Sequence, residues 1–265
     1  MALRNIKLTI TYDGTRYHGW QIQPGKRTIQ AELVNAVSEL LGWRTNVTAA
    51  SRTDAGVSAL GQVALIQIDS PIPTKNFAKA ITDRLPADIA VTEAVDVPMG
   101  FNVIGDAISK LYRYTIFTGR ARPVLVHQCW HLPEKLDVPL MNQAAKLLLG
   151  QKDFKSFAAA DDHRTDSVRT ILRCDVYSSC VERISSFDKN TKYEIRNTND
   201  DWVIIDVEGD RFLYNMVRNI VGTLVEVGVG RMKPEKIIEI IDAKDRRAAG
   251  PIAPPEGLCL MWIRY

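Results

Sequence analysis

Apolar and polar side chains alternate over residues 5–12, and the run halts at Asp13-Gly14, a turn dipeptide, so a half-buried strand opens the chain. Thr28 then stands where a helix N-cap belongs. Ile29, Leu33, Val37, Leu40 and Leu41 follow it at helical spacing, and Gly42 supplies a stop. Residues 45–49 read as a short extended segment and residues 63–68 as an apolar run of strand length. A second helix is predicted over residues 74–85, between Pro73 and Pro86, and a strand over residues 89–97. The order strand, helix, strand, strand, helix, strand then recurs. Residues 111–117 predict a strand and residues 138–149 a helix closed by Gly150. Residues 170–178 and 202–207 predict strands, 212–226 a helix, 234–241 a short extra helix, and 260–264 a last strand.

This order predicts a mixed α+β (α/β) fold of two tandem split βαββαβ halves, residues 1–105 and 106–265. Their sheets are expected to join into one mostly antiparallel sheet, with helices on one face and a central cleft for a site. No sequence identity between the halves is visible, so the expectation rests on element order. Residues 152–168, which include Asp161-Asp162-His163-Arg164, and residues 244–255 resist regular structure.

Composition narrows the class without naming a function. The 265 residues, 46% hydrophobic and 25% charged, suit one large globular domain or two modest ones and exclude disordered and fibrous classes. A net charge of +3 permits an anionic partner but does not by itself argue for nucleic acid. Cys129, Cys174, Cys180 and Cys259 lie far apart with no C-x-x-C pair, which argues against a zinc site or a disulfide framework and for a reducing compartment. Cys129-Trp130-His131 reads as a buried thiol beside a packed imidazole in preference to a ligand pair. Residues 6–10 alternate instead of forming a signal-peptide core, and no run approaches a membrane span, so a soluble cytoplasmic protein is expected.

Candidate chemistry centres on residues 50–57. Asp54 follows Arg52 by two residues in a small-residue loop between two predicted strands; a neighbouring guanidinium favours the ionised carboxylate, and Ala55-Gly56 leaves room for a large planar ligand. Such a carboxylate suits a nucleophile or general base, although an Asx-turn with a surface arginine fits the same residues. Tyr112 and Tyr114 share one face of their strand and Arg113 takes the other. Arg218 shares a helical stripe with Asn215, Asn219 and Gly222, and its partner can be Asp54, a substrate phosphate or Glu226. Lys110, Arg113, Arg120, Arg122, Lys152, Lys155, Arg164, Arg169 and Arg173 read either as a phosphate-tracking surface or as a solvated face.

In combination these blocks resemble the TruA-type family of tRNA pseudouridine synthases. The resemblance runs through Tyr12-Asp13-Gly14-Thr15, Tyr17, Gly19-Trp20-Gln21, Arg52-Thr53-Asp54-Ala55-Gly56-Val57, Tyr112-Arg113-Tyr114, Asp153-Phe154-Lys155-Ser156-Phe157, Arg169-Thr170-Ile171 and the stretch from Phe212 to Ile220, in that family's order and spacing. It implies an isomerase that detaches uracil from ribose, rotates it and rejoins it through carbon, with no cofactor or metal. It further implies Asp54 as nucleophile, Tyr112 stacking on the target uracil, Arg218 pairing with the aspartate, and Arg52 contacting RNA and aiding base flipping. The implied substrate is the anticodon stem-loop of tRNA at positions 38, 39 and 40, and the implied assembly a homodimer. Ser51 and Ser58 depart from the family's usual glycine and histidine, which bears on RNA contacts more than on the reaction. A noncatalytic RNA-binding module remains the competing class. An aspartyl-phosphate enzyme would need metal-holding carboxylates that the loop lacks.

Overall fold

Alternation becomes burial in β1 (Arg4–Tyr12), where Ile6, Leu8, Ile10 and Tyr12 face inward while Lys7, Thr9 and Thr11 stay half-buried. The computed structural model describes residues 3–124, 126–162, 164–178 and 201–265. Helix α1 (Ile29–Leu41) follows and buries Ile29, Leu33, Ala36, Val37 and Leu41 on one stripe; Gly42 ends it in the left-handed region at φ +82°. Thr28 occupies the N-cap position, yet its hydroxyl is buried without a hydrogen-bond partner, so it caps by backbone alone. Next come β2 (Val47–Ala49), β3 (Ser58–Ile68), α2 (Thr74–Thr82) and β4 (Ile89–Val97).

The second half supplies β5 (Ser109–Phe117), β6 (Trp130–His131), α3 (Val138–Lys146), β7 (Gly150–Asp153), β8 (Val168–Ser178), β9 (Trp202–Gly209), α4 (Met216–Gly228), α5 (Lys236–Ala243) and β10 (Leu258–Arg264). Among the described residues the strands form one sheet in the order β4-β1-β3-β10-β5-β9-β8-β7, with β2 beside β3 and β6 beside β5. Each half thus repeats one plan, β4-β1-β3-β2 and β10-β5-β9-β8. Pairing is antiparallel except at β10·β3 and β5·β6.

Buried residues from all five α-helices join Ile6, Leu8 and Ile10 of β1, Tyr114 and Ile116 of β5 and Leu260 of β10 in one core, which places the helices on a single face. On the other face a small cluster of Ala50, Val63 and Val103, with Leu65, Phe101 and Tyr265 against it, covers part of β3. No helix among the described residues is long and apolar enough to cross a membrane.

The seam between the halves positions the site. Leu260 of β10 lies across from Ala59 of β3 on one side and from Tyr112 of β5 on the other. The loop before β3 and the tyrosine strand are therefore about 10 Å apart, two strand spacings, bridged by one strand.

Three local features differ from the sequence expectation. Strand β3 begins at Ser58 instead of residue 63, because Gly61 lies flat against the Met261 carbonyl, where an added Cβ would come within 2.5 Å, and so lets β10 close the seam. The fourth helix begins at Met216 instead of residue 212, because Asn215 adopts φ +59° and breaks the turn. The expected irregular residues 152–168 contain the end of β7 and a 3-10 turn at Lys155–Phe157. Cys129, Cys174 and Cys259 are free thiols; Cys180 and His163 lie outside the described residues. Cys129 donates to the Val126 carbonyl and His131 Nε2 to the Gly119 carbonyl, so both side chains are engaged structurally.

Candidate active site

Residues 50–57 are held at nearly every step. Ala50 donates its N–H to Val63 at 2.8 Å and receives the Lys110 ammonium on its carbonyl at 2.7 Å. The Ser51 carbonyl accepts from Gln62 Nε2 at 2.8 Å, and the Thr53 carbonyl from the Trp20 N–H at 3.0 Å. Thr53 Oγ1 shares a 2.8 Å hydrogen bond with the buried Tyr12 hydroxyl. Val57 N–H closes a turn onto the Asp54 carbonyl, Gly56 taking φ +81° within it, and Gly56 N–H reaches the Tyr17 carbonyl. The aromatic and glycine residues of the first motif block thereby form the cradle of the Asp54 loop. Gly14 sits so close to Val57 that a Cβ there would lie 1.9 Å from its carbonyl oxygen.

Asp54 emerges from this cradle half-buried. Its carboxylate faces Arg218, with Oδ2 3.5 Å from Nη1. Burial raises its pKa above the usual carboxylate value of 3.8, and the Arg218 charge pulls it partly back. Of the protein partners the sequence offered, Arg218 faces Asp54, while Glu226 pairs with Arg231 at 2.9 Å.

Arg218 is fixed by its own surroundings. Nε donates to the Ala253 carbonyl at 2.8 Å, the Ala253 N–H returns a bond to the Arg218 carbonyl at 3.1 Å, and Nη1 reaches Asn215 Oδ1 at 3.2 Å. The two stretches that resist regular structure supply the rest. Residues 250–253 lie on the small face of α4, where a Cβ on Gly222 would meet the Pro251 carbonyl oxygen at 1.7 Å. From the other stretch, the Phe157 carbonyl accepts from Asn219 Nδ2 at 2.8 Å, and Ala159 N–H donates to the Tyr214 carbonyl. The stripe of Arg218, Asn219 and Gly222, with Asn215 at the N-cap, is therefore the face of α4 that meets these two stretches.

Tyr112 lies on the face of β5 that the alternation assigned to it. Its hydroxyl shares a 2.9 Å hydrogen bond with Ser51 Oγ, and its ring meets Phe212 edge-on at 5.2 Å. Burial, with the nearby Asp54 charge adding to it, pushes the phenol up to about 12. The side chain is 6% exposed, so a base that stacks on this ring has to displace part of its packing. Tyr114 is wholly buried and donates to the Pro254 carbonyl at 2.7 Å; Arg113, on the opposite face, grips Asp206 with two nitrogens.

Asp54, Tyr112 and Arg218 come together, and Arg52 stands apart from them. It is exposed and makes no ion pair or hydrogen bond among the described residues. Most of the expected phosphate-tracking surface is spent internally. Arg113, Arg164, Arg169 and Arg173 pair with Asp206, Asp162, Asp166 and Asp175, while Lys152 and Lys155 donate to the Leu149 and Asp162 carbonyls. Arg120 and Arg122 are exposed.

Sequence reasoning missed two supports, Lys110 and the Ser51 hydroxyl. Lys110 is 8% exposed, and burial holds its ammonium down to about 8, an unusual lysine two positions before Tyr112 on the same strand face. Strand alternation places it beside Tyr112; its acceptor, 60 residues away, has no local signal.

A family model described as tRNA pseudouridine synthase matches residues 8–104 and 144–265 of this chain. Proteins named tRNA pseudouridine synthase A from Geotalea daltonii, Thermoanaerobacter sp. and Acetivibrio thermocellus are 40%, 38% and 42% identical to it, each over 99% of this chain and 100% of their own length.

Proposed function

The chain belongs to the tRNA pseudouridine synthase family, isomerases that turn uridine into pseudouridine in tRNA, and on that premise we propose Asp54 as its nucleophile, with Tyr112, Arg218 and Arg52 as substrate-binding residues. What supports the reading is the meeting of three side chains from three elements: a carboxylate on a pinned loop, an arginine facing it at 3.5 Å from the first turn of α4, and a tyrosine tied to the same loop.

The chemistry asks for these groups. The N1–C1′ bond of uridine breaks, the uracil turns, C5 bonds to C1′, the C5 proton leaves and N1 takes up a proton, so the product has the composition of the substrate. Asp54 adds covalently or stabilises the cationic sugar, and both routes require the ionised form. Arg218 serves that need, since its charge opposes the effect of burial on the carboxylate. Tyr112, protonated throughout the neutral range, offers a hydrogen-bond donor to the turning base. Arg52, exposed one residue after Ser51, is available to a phosphate or to the gap left by an everted nucleotide.

The finer reading is that the substrate region is the anticodon stem-loop, at positions 38, 39 and 40, and that the enzyme works as a homodimer in the cytoplasm; the family resemblance supports it. Release of tritium from tRNA carrying 5-tritiated uridine tests the reaction, with stoichiometric release expected and tRNA binding without release refuting it. Mapping pseudouridine in tRNA from cells lacking the protein tests the positions, and sedimentation at working concentration tests the dimer.

A further inference from the structure

Ser51 Oγ and the Tyr112 hydroxyl share a 2.9 Å hydrogen bond, and among the described residues neither oxygen has another partner. The serine has little freedom to drift. Its carbonyl is held by Gln62 Nε2, a fully buried side chain that also touches the Tyr12 hydroxyl at 3.3 Å. The residue before it is fixed at both ends by Val63 and Lys110. Residues of β1, β3 and β5 thus fix the backbone that carries Ser51, and among the described residues the phenol oxygen is the one hydrogen-bond partner of its hydroxyl.

A phenol carries one proton and turns it between two in-plane directions. A hydroxyl that donates to the phenol oxygen occupies one of them and leaves the phenol proton the other. At 2.9 Å either hydroxyl can donate to the other; once the phenol proton is given to the base, the serine is the partner left to donate to the phenol oxygen.

We propose that Ser51 is a positioning residue for the isomerisation: its hydroxyl donates to Tyr112 and sets the phenol proton free to meet the turning uracil. This rests on the role of Tyr112 proposed above.

The test is a cycle of four proteins, wild type, Ser51→Ala, Tyr112→Phe and the double variant, each read for single-turnover pseudouridine formation at saturating tRNA and for tRNA affinity. Ser51→Gly serves as a second version of the serine change. Both serine variants should lose about tenfold in rate, the factor supplied by one hydrogen bond of ordinary strength, with tRNA affinity unchanged. In the Tyr112→Phe background the same changes should cost less than about twofold, because the phenol they act through is gone. Equal losses in both backgrounds would show that Ser51 acts on the loop and not on Tyr112, and would overturn the proposal; so would an undiminished rate in both serine variants. A wild type that binds tRNA and forms no pseudouridine would instead remove the proposed function, and this role with it.

Discussion

Gly19 is the position at which a single methyl group should reach the chemistry. It adopts φ +85°, and a Cβ there would stand 2.7 Å from the Thr53 carbonyl oxygen and 3.1 Å from the Asp54 carbonyl carbon and the Ala55 nitrogen. Gly19→Ala therefore carries two costs. The left-handed backbone costs a non-glycine residue about 1–2 kcal/mol. Relieving the collision requires the Thr53–Ala55 backbone to withdraw, at about 1–3 kcal/mol for an overpacked site, with a further ~1 kcal/mol if the 3.0 Å bond from Trp20 N–H to Thr53 is lost. The sum, about 2–6 kcal/mol, is a large part of the ~5–15 kcal/mol that holds a domain together. The withdrawal also moves Asp54, and a displacement of ~1 Å at a reacting group costs about 100-fold in rate. Gly25 supplies the control: it too has positive φ, at +68°, but an added Cβ meets nothing within 4 Å. Urea denaturation and single-turnover pseudouridine formation, the latter at a temperature where each variant is folded, measure both effects. Gly25→Ala should lose about 1–2 kcal/mol and keep its rate, while Gly19→Ala should lose more stability and about two orders of magnitude in rate. If Gly19→Ala behaves like Gly25→Ala, the first motif block does not cradle the Asp54 loop.

Arg218→Gln removes the charge that lowers the Asp54 pKa against the effect of burial, so the acid limb of the single-turnover rate against pH should move to higher pH; an unmoved limb would separate the two side chains functionally. Lys110 binds its proton less tightly in the fold, at about 8 against 10.5, so the penalty on its charged form is present below pH 8 and fades as the pH rises to 10.5. Burial raises the Cys174 and Cys259 thiols, which titrate with the opposite sign over the same range, so the readout is a difference: by urea denaturation, wild type should gain stability relative to Lys110→Met as the pH rises from 8 to 10.5, and a constant difference would assign no such titration to Lys110. Arg52→Ala should change stability by less than about 0.5 kcal/mol, because the side chain is exposed and unpaired among the described residues, while weakening tRNA binding and lowering its salt slope by about 1. Salt-titrated binding isotherms that match wild type would remove Arg52 from the RNA interface.

Much of this architecture was legible where one local rule acted alone. The alternation of β1 placed Ile6, Leu8 and Ile10 in the core, Gly42 closed α1 through its positive φ, and Tyr112 and Arg113 took opposite faces of β5. Legibility failed where a distant partner overrode the local signal. Phe212 and Leu213 continue the apolar spacing of α4, and only the backbone of Asn215 keeps them out of the helix, which frees the Phe212 ring to pack against Tyr112. Gly150–Asp153 has no alternation to read, and becomes strand β7 by pairing with β8. At the site, the family resemblance pointed to Asp54, Tyr112 and Arg218, which the fold brings together. The carbonyls that hold Lys110 and Arg218, on Ala50 and Ala253, carry no side-chain signature at all.

Asp54→Asn gives the sharpest test, because it removes the charge and keeps the shape. Burial makes the native state hold the Asp54 proton more tightly than the unfolded chain does, so the ionised group costs stability at neutral pH, and the amide should leave the fold intact. With folding and tRNA affinity at wild-type levels, single-turnover assay of the variant on 5-tritiated tRNA should then show no release above background. Release at a rate comparable to wild type would mean that the carboxylate facing Arg218 is not the group that does the chemistry.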